Sequence, residues 1–282
     1  MTGIDHRMRR LFNERSGRCL DIAMDHGFFG EGRFLAGIED LPSAIGRLVH
    51  AAPDAIQLTP GSARLLQSTG GRTRPALVLR TDVANVYGEV LPDRMFSRML
   101  PKPALTGVRL DAACIVVNLL DLPGRPDIKE ACIANVLAAR ADCDRYSMPL
   151  MVEPLVMREV DAGGYGVNGD VERIVPLVRQ AVELGADIIK ADPADDTGDY
   201  HRVVETAGGV PVLVRGGGRV PDRELFERTA AVLAQGARGI VYGRNIVQHR
   251  HPDRMTHALM AMLHEDATVA DAIEIVSGGA GA

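Results

Sequence analysis

The sequence predicts a single (β/α)8 barrel spanning residues 1–282. Its length is typical of that fold, and eight short apolar runs alternate with helical patterns along it. Aromatic residues make up only 4% of the chain and Trp is absent, so the core must consist of aliphatic side chains, which suits parallel strands covered by helices. An open doubly wound sheet would need a G-x-G-x-x-G motif after an early strand, and none occurs. Without a linker-like stretch, we expect one domain.

The first half of the chain contains four strand-like runs, each followed by polar residues or glycine. We place these strands at residues 18–24, 55–58, 76–80 and 112–119. Helical spacing of apolar residues places helices at 38–51, 62–67 and 127–142. The charged segment 1–17 is expected to close the bottom of the barrel as a cap. The weak pattern of residues 83–106 indicates a long strand-to-helix connection, and such connections often serve function.

The second half repeats the alternation. Strands are predicted at residues 149–153, 185–190, 211–214 and 238–242, and helices at 170–184, 199–207, 222–235 and 245–262. Residues 161–168 indicate a Gly-rich loop. Pro176 is expected to kink the helix that contains it, or to mark its start. The small residues 277–282 are expected to form a disordered tail.

Composition and charge exclude several classes of function. The net charge of −5 carries no block of like sign, which argues against nucleic acid or an acidic membrane surface as a partner. No apolar run approaches the roughly 18 residues that a membrane-spanning helix needs, and the N-terminus is too charged for a signal peptide. The cysteines lack C-x-x-C spacing, so we expect reduced thiols in a cytoplasmic protein and no zinc site.

Lys190 is the residue that the sequence singles out. Lys102, Lys129 and Lys190 are the only lysines among 32 basic residues, so lysine is not the default surface cation here. Lys190 ends the buried run Gly185–Lys190, where desolvation would lower the pKa of its amine. A neutral amine can attack a carbonyl. The alternative is a side chain that extends from the strand end to solvent.

Polar residues at the other strand ends should surround this lysine, because the carboxyl ends of barrel strands meet at one mouth. The ring comprises Asp25, His26, Gln57, Arg80, Asp82, Asn118, Glu153, Lys190, Asp192, Arg215 to Gly218, Gly243 and Arg244. Asp25 could relay protons or bind substrate hydroxyls, or it could only cap the following turn. A zinc site would need several histidines at strand ends, and only His26 is so placed.

Two neighbouring loops have the composition of a phosphate site. Residues 215–219 read Arg-Gly-Gly-Gly-Arg after the seventh strand, and residues 243–245 read Gly-Arg-Asn after the eighth. Glycines let backbone N–H groups approach an anion, and arginine adds a charged fork. The alternative is that the glycines only form tight turns.

Four motifs, taken together, resemble one family. They are Met24-Asp25-His26-Gly27, the strand Asp187-Ile188-Ile189-Lys190, the strand 211–214 with its Gly-Gly-Gly-Arg loop, and 239–246. In this order and spacing they resemble the archaeal-type class I fructose-bisphosphate aldolases, within the deoxyribose-phosphate aldolase-like barrels, over about residues 18–250. The resemblance implies a Schiff-base lysine at Lys190, a catalytic aspartate at Asp25, and phosphate binding by the two loops.

The fifth strand departs from that family, in which it ends in a tyrosine that handles the proton at the substrate carbon. Residues 151–155 contain no tyrosine, and Glu153 is their only ionisable residue. This is similar to the tagatose-bisphosphate and sulfo-sugar aldolases. We therefore predict Glu153 as the general acid/base, its pKa raised by burial. Arg80 and Asn85 also resemble the branch that processes autoinducer-derived phospho-diketones by acyl transfer.

The sequence thus predicts a class I, metal-independent aldolase with no cofactor, acting on a small phosphorylated ketose or keto sugar. Lys190, Glu153 and Asp25 are its predicted catalytic residues. The predicted substrate- and phosphate-binding residues are His26, Gln57, Arg80, Asp192, Arg215, Gly216, Gly217, Gly218, Gly243 and Arg244. The alternatives are coenzyme A-dependent acyl transfer on a phosphorylated diketone and a non-catalytic sugar-phosphate-binding barrel. Fold analogy favours a homo-oligomer.

Overall fold

The structure, a computed structural model, describes residues 2–71, 74–161 and 163–278. Their strands are β1 (Cys19–Ala23), β2 (Ala55–Leu58), β3 (Ala76–Arg80), β4 (Asp82–Ala84), β5 (Ser97–Met99), β6 (Ala112–Asp121), β7 (Leu150–Glu159), β8 (Tyr165–Val167), β9 (Ile188–Ala191), β10 (Val212–Arg215) and β11 (Gly239–Tyr242). Eight of these are parallel and run in the order β6-β3-β2-β1-β11-β10-β9-β7, and a β6–β7 pairing closes the ring. The predicted (β/α)8 barrel is confirmed.

Helices cover the outside of this barrel. They are α1 (Gly3–Met8), α2 (Leu41–Ala51), α3 (Ala63–Gln67), α4 (Pro103–Arg109), α5 (Pro126–Tyr146), α6 (Val171–Glu183), α7 (Tyr200–Thr206), α8 (Asp222–Ala234), α9 (Arg244–Val247), α10 (Pro252–His264) and α11 (Val269–Ser277). Their ends follow local chemistry. The Asp40 side chain, for example, accepts a hydrogen bond from the Ser43 N–H and caps the start of α2. No helix of the described residues is long and apolar enough to cross a bilayer.

Helix α6 runs from Val171 to Glu183 through Pro176, so the helix predicted at 170–184 is confirmed and does not start at the proline. Two other predicted boundaries were wrong. The single helix expected at 245–262 is two helices, α9 and α10, and a further helix, α11, follows. The predicted tail begins too early, because Ser277 ends α11 and Gly278 caps it with a positive φ of 78°. Residues 279–282 lie outside the described residues.

The barrel interior is filled by small and medium side chains, and larger aliphatic residues pack between strands and helices. At the amino ends of the strands, Leu11 from the N-terminal segment is 2% exposed and packs into the interior cluster. Arg10 binds Asp111 at 2.9 Å and anchors the same segment. The four cysteines are buried free thiols, two on strands and two on α5.

Two excursions rise above the carboxyl ends of the strands. Strands β4 and β5 form an antiparallel hairpin within the long 83–106 connection. Strand β7 continues to Glu159, beyond the barrel, and pairs with β8. The prediction of a plain loop at 161–168 was therefore wrong for residues 165–167, because the extended strand supplies a pairing edge.

Candidate active site

Lys190 projects into the barrel mouth. Its neighbours on β9 alternate as strand geometry requires: Ile188 faces the barrel interior and Ile189 faces the helices. The Lys190 side chain therefore points inward, and the residue is 3% exposed. Its Nζ lies 3.1 Å from Oε2 of Glu153 and donates a hydrogen bond to Oε1 of Gln57 at 3.3 Å. The predicted lysine does not extend away to solvent.

A pocket opens above Lys190, and most of the predicted ring lines it. The predicted residues in its wall are Asp25, His26, Arg80, Glu153, Lys190, Arg215, Gly216, Gly217, Gly243 and Arg244. Gly218 lines the adjoining outer mouth instead. Gln57 and Asp192 do not line the pocket: both are fully buried, Gln57 against Lys190 and Asp192 against Arg215. Both side chains are held in the layer behind the pocket, and their predicted role as substrate contacts stays a prediction.

Arg80 lies at the centre of the charge network, 1% exposed. Its Nε donates to Oδ2 of Asp25 at 2.8 Å, and its Nη1 donates to Oδ1 of Asp82 at 3.2 Å. Its Nη2 contacts the carboxylate of Glu153. The guanidinium was predicted as a substrate contact, yet each of its nitrogens already faces a carboxylate. Its main role in this geometry is to hold three carboxylates in one arrangement.

The pKa predicted for Glu153 was wrong in sign. Burial favours its neutral form, but the positive charges of Lys190, Arg80 and Arg215 outweigh burial and lower the pKa to about 2. The same holds for Asp25, where the positive charges of Arg80 and Lys190 outweigh the effect of burial and lower the pKa to about 2. Both side chains are therefore carboxylates at neutral pH and carry no proton to donate.

Burial shifts the pKa of three other titratable groups near Lys190 toward the neutral form. Burial raises the pKa of Asp21 to about 7 and that of Asp192 to about 6. Neither oxygen of Asp21 has a hydrogen-bond partner among the described residues. Burial lowers the pKa of His26 to about 4, so its imidazole is uncharged at neutral pH.

The two Gly/Arg loops form one continuous wall. The Asn245 side chain accepts a hydrogen bond from the Val220 N–H at 3.0 Å and donates to the carbonyls of Gly216 and Gly218 at 3.3 and 3.2 Å. Arg244 donates to the Gly217 carbonyl at 3.0 Å. The loop after the seventh barrel strand is thus fixed by side chains that follow the eighth.

Gly243 is required for a close approach. A Cβ at this position would lie 2.5 Å from Cε1 of His26 and 2.8 Å from the carbonyl oxygen of Ala23. Gly243 therefore packs His26 against the start of α9. At Gly217 the reason is conformational, because its φ of +61° is a region that side-chain-bearing residues rarely adopt.

The sequence interpretation missed three aromatic residues of the pocket wall: Phe29, Phe34 and Tyr87. Tyr87 comes from the 83–106 connection, and its hydroxyl donates to Oδ1 of Asn118 at 3.3 Å. Its ring packs on Phe29 with a centroid distance of 4.5 Å. Aromatic residues are scarce in this chain, and residues 83–106 are expected to serve function. A tyrosine in that segment is therefore a candidate site residue, and this combination was the available signal.

Among the described residues, no group of three or more His, Cys, Asp or Glu side chains is arranged to hold a metal ion. The carboxylates around Lys190 are instead held by Arg80, Arg215 and the lysine itself.

Comparison with known proteins points to one family. The sequence profile of the DeoC/LacD family aldolases matches residues 19–249. An uncharacterized aldolase of Saccharolobus solfataricus is 30% identical over 282 residues, which cover 98% of this chain and all of that protein. The 3-hydroxy-5-phosphonooxypentane-2,4-dione thiolase of Escherichia coli K12 is 28% identical over 97% of this chain and 86% of its own.

A solved structure is similar over nearly the whole barrel. It is an archaeal fructose-1,6-bisphosphate aldolase with its catalytic Lys covalently bound to the carbinolamine intermediate of the substrate. It is 25% identical, with a TM-score of 0.74, and the match covers 93% of this chain and 99% of that one.

Proposed function

The chain belongs to the DeoC/LacD family aldolases, and on that premise we propose that it is a class I aldolase that cleaves or forms a C–C bond in a small phosphorylated ketose through an imine on Lys190. One observation carries the proposal. The only buried lysine of the described residues lies at the carboxyl end of a barrel strand, in a pocket, with Nζ 3.1 Å from Glu153.

The proposed chemistry uses the lysine as an electron sink. Nζ of Lys190 attacks the substrate carbonyl carbon, the carbonyl oxygen leaves as water, and an iminium forms. When the neighbouring C–C bond breaks, its electron pair enters the iminium and gives an enamine. The substrate hydroxyl that becomes a carbonyl loses its proton, and the carboxylates of Asp25 and Glu153 are placed and ionised to accept it.

The Gly/Arg wall supports a phosphorylated substrate. Arg215 and Arg244 line the pocket together with Gly216 and Gly217, so two guanidinium groups and glycine backbone stand on the same side. The carboxylates Asp25 and Glu153 lie deeper, around the lysine. A ligand with an anionic group at one end and a carbonyl at the other matches this separation of charge.

Reductive trapping tests the proposal. The protein is incubated with dihydroxyacetone phosphate and sodium borohydride, digested and analysed by mass spectrometry. We expect a reduced adduct on Lys190 and none on Lys102 or Lys129, which serve as controls within the same digest. The Lys190→Met variant should form no reduced adduct. An unmodified Lys190 across triose and ketose phosphates would contradict imine chemistry and favour the non-catalytic sugar-phosphate-binding barrel.

A second candidate is acyl transfer to coenzyme A on a phosphorylated diketone. The similarity to the Escherichia coli thiolase, 28% over 97% of the chain, favours it. Two incubations separate the candidates. Release of triose phosphates from fructose 1,6-bisphosphate without coenzyme A supports the aldolase. Formation of an acyl-coenzyme A only from 3-hydroxy-5-phosphonooxypentane-2,4-dione would support the thiolase reaction in its place.

A further inference from the structure

Cleavage through an imine requires a second proton transfer, to which no residue has been assigned so far. After the C–C bond breaks, the enamine carbon must gain a proton before the product can leave. Asp25 and Glu153 are ionised at neutral pH, so neither holds a proton of its own before the substrate hydroxyl releases one. His26 is a neutral imidazole, whose remaining N–H is a very weak acid.

Tyr87 brings a hydroxyl to the same pocket. Its phenol oxygen lies 3.3 Å from Oδ1 of Asn118. Asn118 on β6 is the register partner of Glu153 on β7, and Glu153 is 3.1 Å from Nζ of Lys190. The Tyr87 hydroxyl therefore lies beside the β6–β7 strand pair, which carries Glu153, the ion-pair partner of Lys190. Tyr87 and Lys190 both line the pocket wall.

The Asn118 amide that accepts the hydrogen bond from this hydroxyl is held in place from behind. Nδ2 of Asn118 donates to Oδ2 of Asp82 at 2.9 Å, and the Asn118 N–H donates to the same oxygen at 3.0 Å. The amide nitrogen donates to Asp82, so the amide oxygen faces Tyr87 and accepts the hydrogen bond from its hydroxyl. At 3.3 Å this bond is long, which leaves the hydroxyl free to turn toward a ligand.

The ring itself is clamped from the other side of the mouth. Phe29 packs on it at a centroid distance of 4.5 Å, and Nη2 of Arg33 donates to the Tyr87 carbonyl at 3.2 Å. Burial, followed by the negative charge of Glu153, raises the pKa of the phenol, so Tyr87 holds its proton at neutral pH.

We propose that Tyr87 is the catalytic acid that protonates the enamine carbon in the turnover of a ketose phosphate. The proposal rests on the proposed imine function of Lys190. The phenolic O–H bond breaks and a C–H bond forms, while the enamine electron pair restores the iminium. The positive charges of Arg80 and Arg215 favour the phenolate, which regains its proton from water at the open mouth. In the synthetic direction the step reverses: the phenolate of Tyr87 takes the proton from the substrate carbon, and the C–H electron pair forms the enamine.

Tyr87→Phe tests this role with dihydroxyacetone phosphate in D2O. Exchange of the hydrogens next to the carbonyl is followed by proton NMR, and borohydride trapping on Lys190 is measured in parallel. We expect the adduct to form as in the wild type, because imine formation does not need the phenol. Exchange should slow by on the order of 100-fold or more, the usual contribution of a positioned acid or base.

Two further variants sharpen the result. Tyr146→Phe removes a hydroxyl from the last turn of α5, outside the pocket, and should leave exchange unchanged. Asn118→Ala keeps the phenol but removes its hydrogen-bond acceptor, and should slow exchange by roughly tenfold, the effect of about 1.4 kcal/mol. This variant also tests the proposal if Tyr87→Phe does not fold.

The outcomes separate this role from the imine itself. Wild-type exchange in Tyr87→Phe with the adduct intact would overturn the role of Tyr87 and leave Lys190 untouched. Loss of the adduct together with exchange, in a protein that still melts cooperatively, would also overturn it and would make Tyr87 a substrate-positioning residue. Absence of an adduct in the wild type would instead overturn the proposed function.

Discussion

Arg80 and Asp25 form an almost wholly buried ion pair, with Nε 2.8 Å from Oδ2. The same guanidinium also faces Asp82 and Glu153. One cation therefore compensates three carboxylates beside the lysine. Removing one partner of such a buried network leaves charge that neither solvent nor the protein neutralises.

Arg80→Met should destabilise the protein strongly. The side-chain volume is nearly kept, so the loss reflects charge, and we expect the free energy of unfolding to fall by about 3–5 kcal/mol. Urea denaturation followed by circular dichroism measures it. The exposed pair of Arg223 and Glu227 provides the control, since Arg223→Met should change stability by less than about 1 kcal/mol. Equal effects in the two variants would contradict the assigned role of Arg80.

Because Asp21 is buried in protonated form, the free energy of unfolding should fall as pH rises. Its folded pKa of about 7 lies above its ordinary value of 3.8, so the folded state keeps a proton that the unfolded chain releases. The associated stability is complete below about pH 4 and is lost as pH rises to about 7. In Asp21→Asn the free energy of unfolding should therefore decline less steeply over this range, by up to about 1.4 kcal/mol per pH unit.

The slope is the informative quantity for Asp21, because an asparagine can shift the whole curve through its own buried amide. Denaturation at four pH values between 4 and 7 measures the slope. Asp266→Asn, at a side chain 93% exposed, is the control and should run parallel to the wild type. A parallel curve for Asp21→Asn as well would show that Asp21 is not protonated in the folded state.

Asn245→Ala should weaken binding without preventing imine formation. The substitution removes two hydrogen bonds to the Gly216 and Gly218 carbonyls and one from the Val220 N–H, so the loop loses its fixed shape. The dihydroxyacetone phosphate concentration that gives half-maximal trapping should rise about tenfold. Trapping at saturation should match the wild type. Asn135→Ala, on α5 outside the pocket, should leave both values unchanged, and an unchanged midpoint in Asn245→Ala would argue against this wall as the anion site.

Gly239→Ala should disrupt the seam at which the first and last barrel strands pair. Gly239 has a φ of +139°, and a Cβ there would lie 2.0 Å from the Cys19 carbonyl oxygen, so stability should fall by about 3 kcal/mol or more. Gly46→Ala, on the exposed face of α2 with open space around it, should raise stability by about 1 kcal/mol. Thermal and urea unfolding distinguish the two. A stable Gly239→Ala protein would mean that the seam can relax.

Sequence reasoning placed the strands and the inward lysine well because both depend on local pattern: apolar runs, helical spacing and the position of a residue at a strand end. Sequence reasoning was wrong where the pKa of a group depends on charged residues that are distant in the sequence but adjacent in the fold. The pKa of Glu153 depends on Arg80, 73 positions away in the chain, and no local signal shows that this guanidinium reaches across. Gln57 and Asp192 were correctly placed at strand ends, but spacing does not reveal whether a side chain reaches the cavity or the layer behind it.

The β4–β5 hairpin belongs to a connection and not to the closed ring. The part of the mouth that this connection carries can therefore accept substitutions more readily than the part carried by the barrel strands. Lys190 and its partners are built into strands whose register closes the barrel, so altering them risks the fold. Tyr87 is carried between Ala84 and Ser97, where both ends are anchored by one short strand pairing. Grafting this segment between relatives would exchange one wall of the mouth while the lysine layer stays in place, which makes the segment the natural unit for redirecting substrate choice.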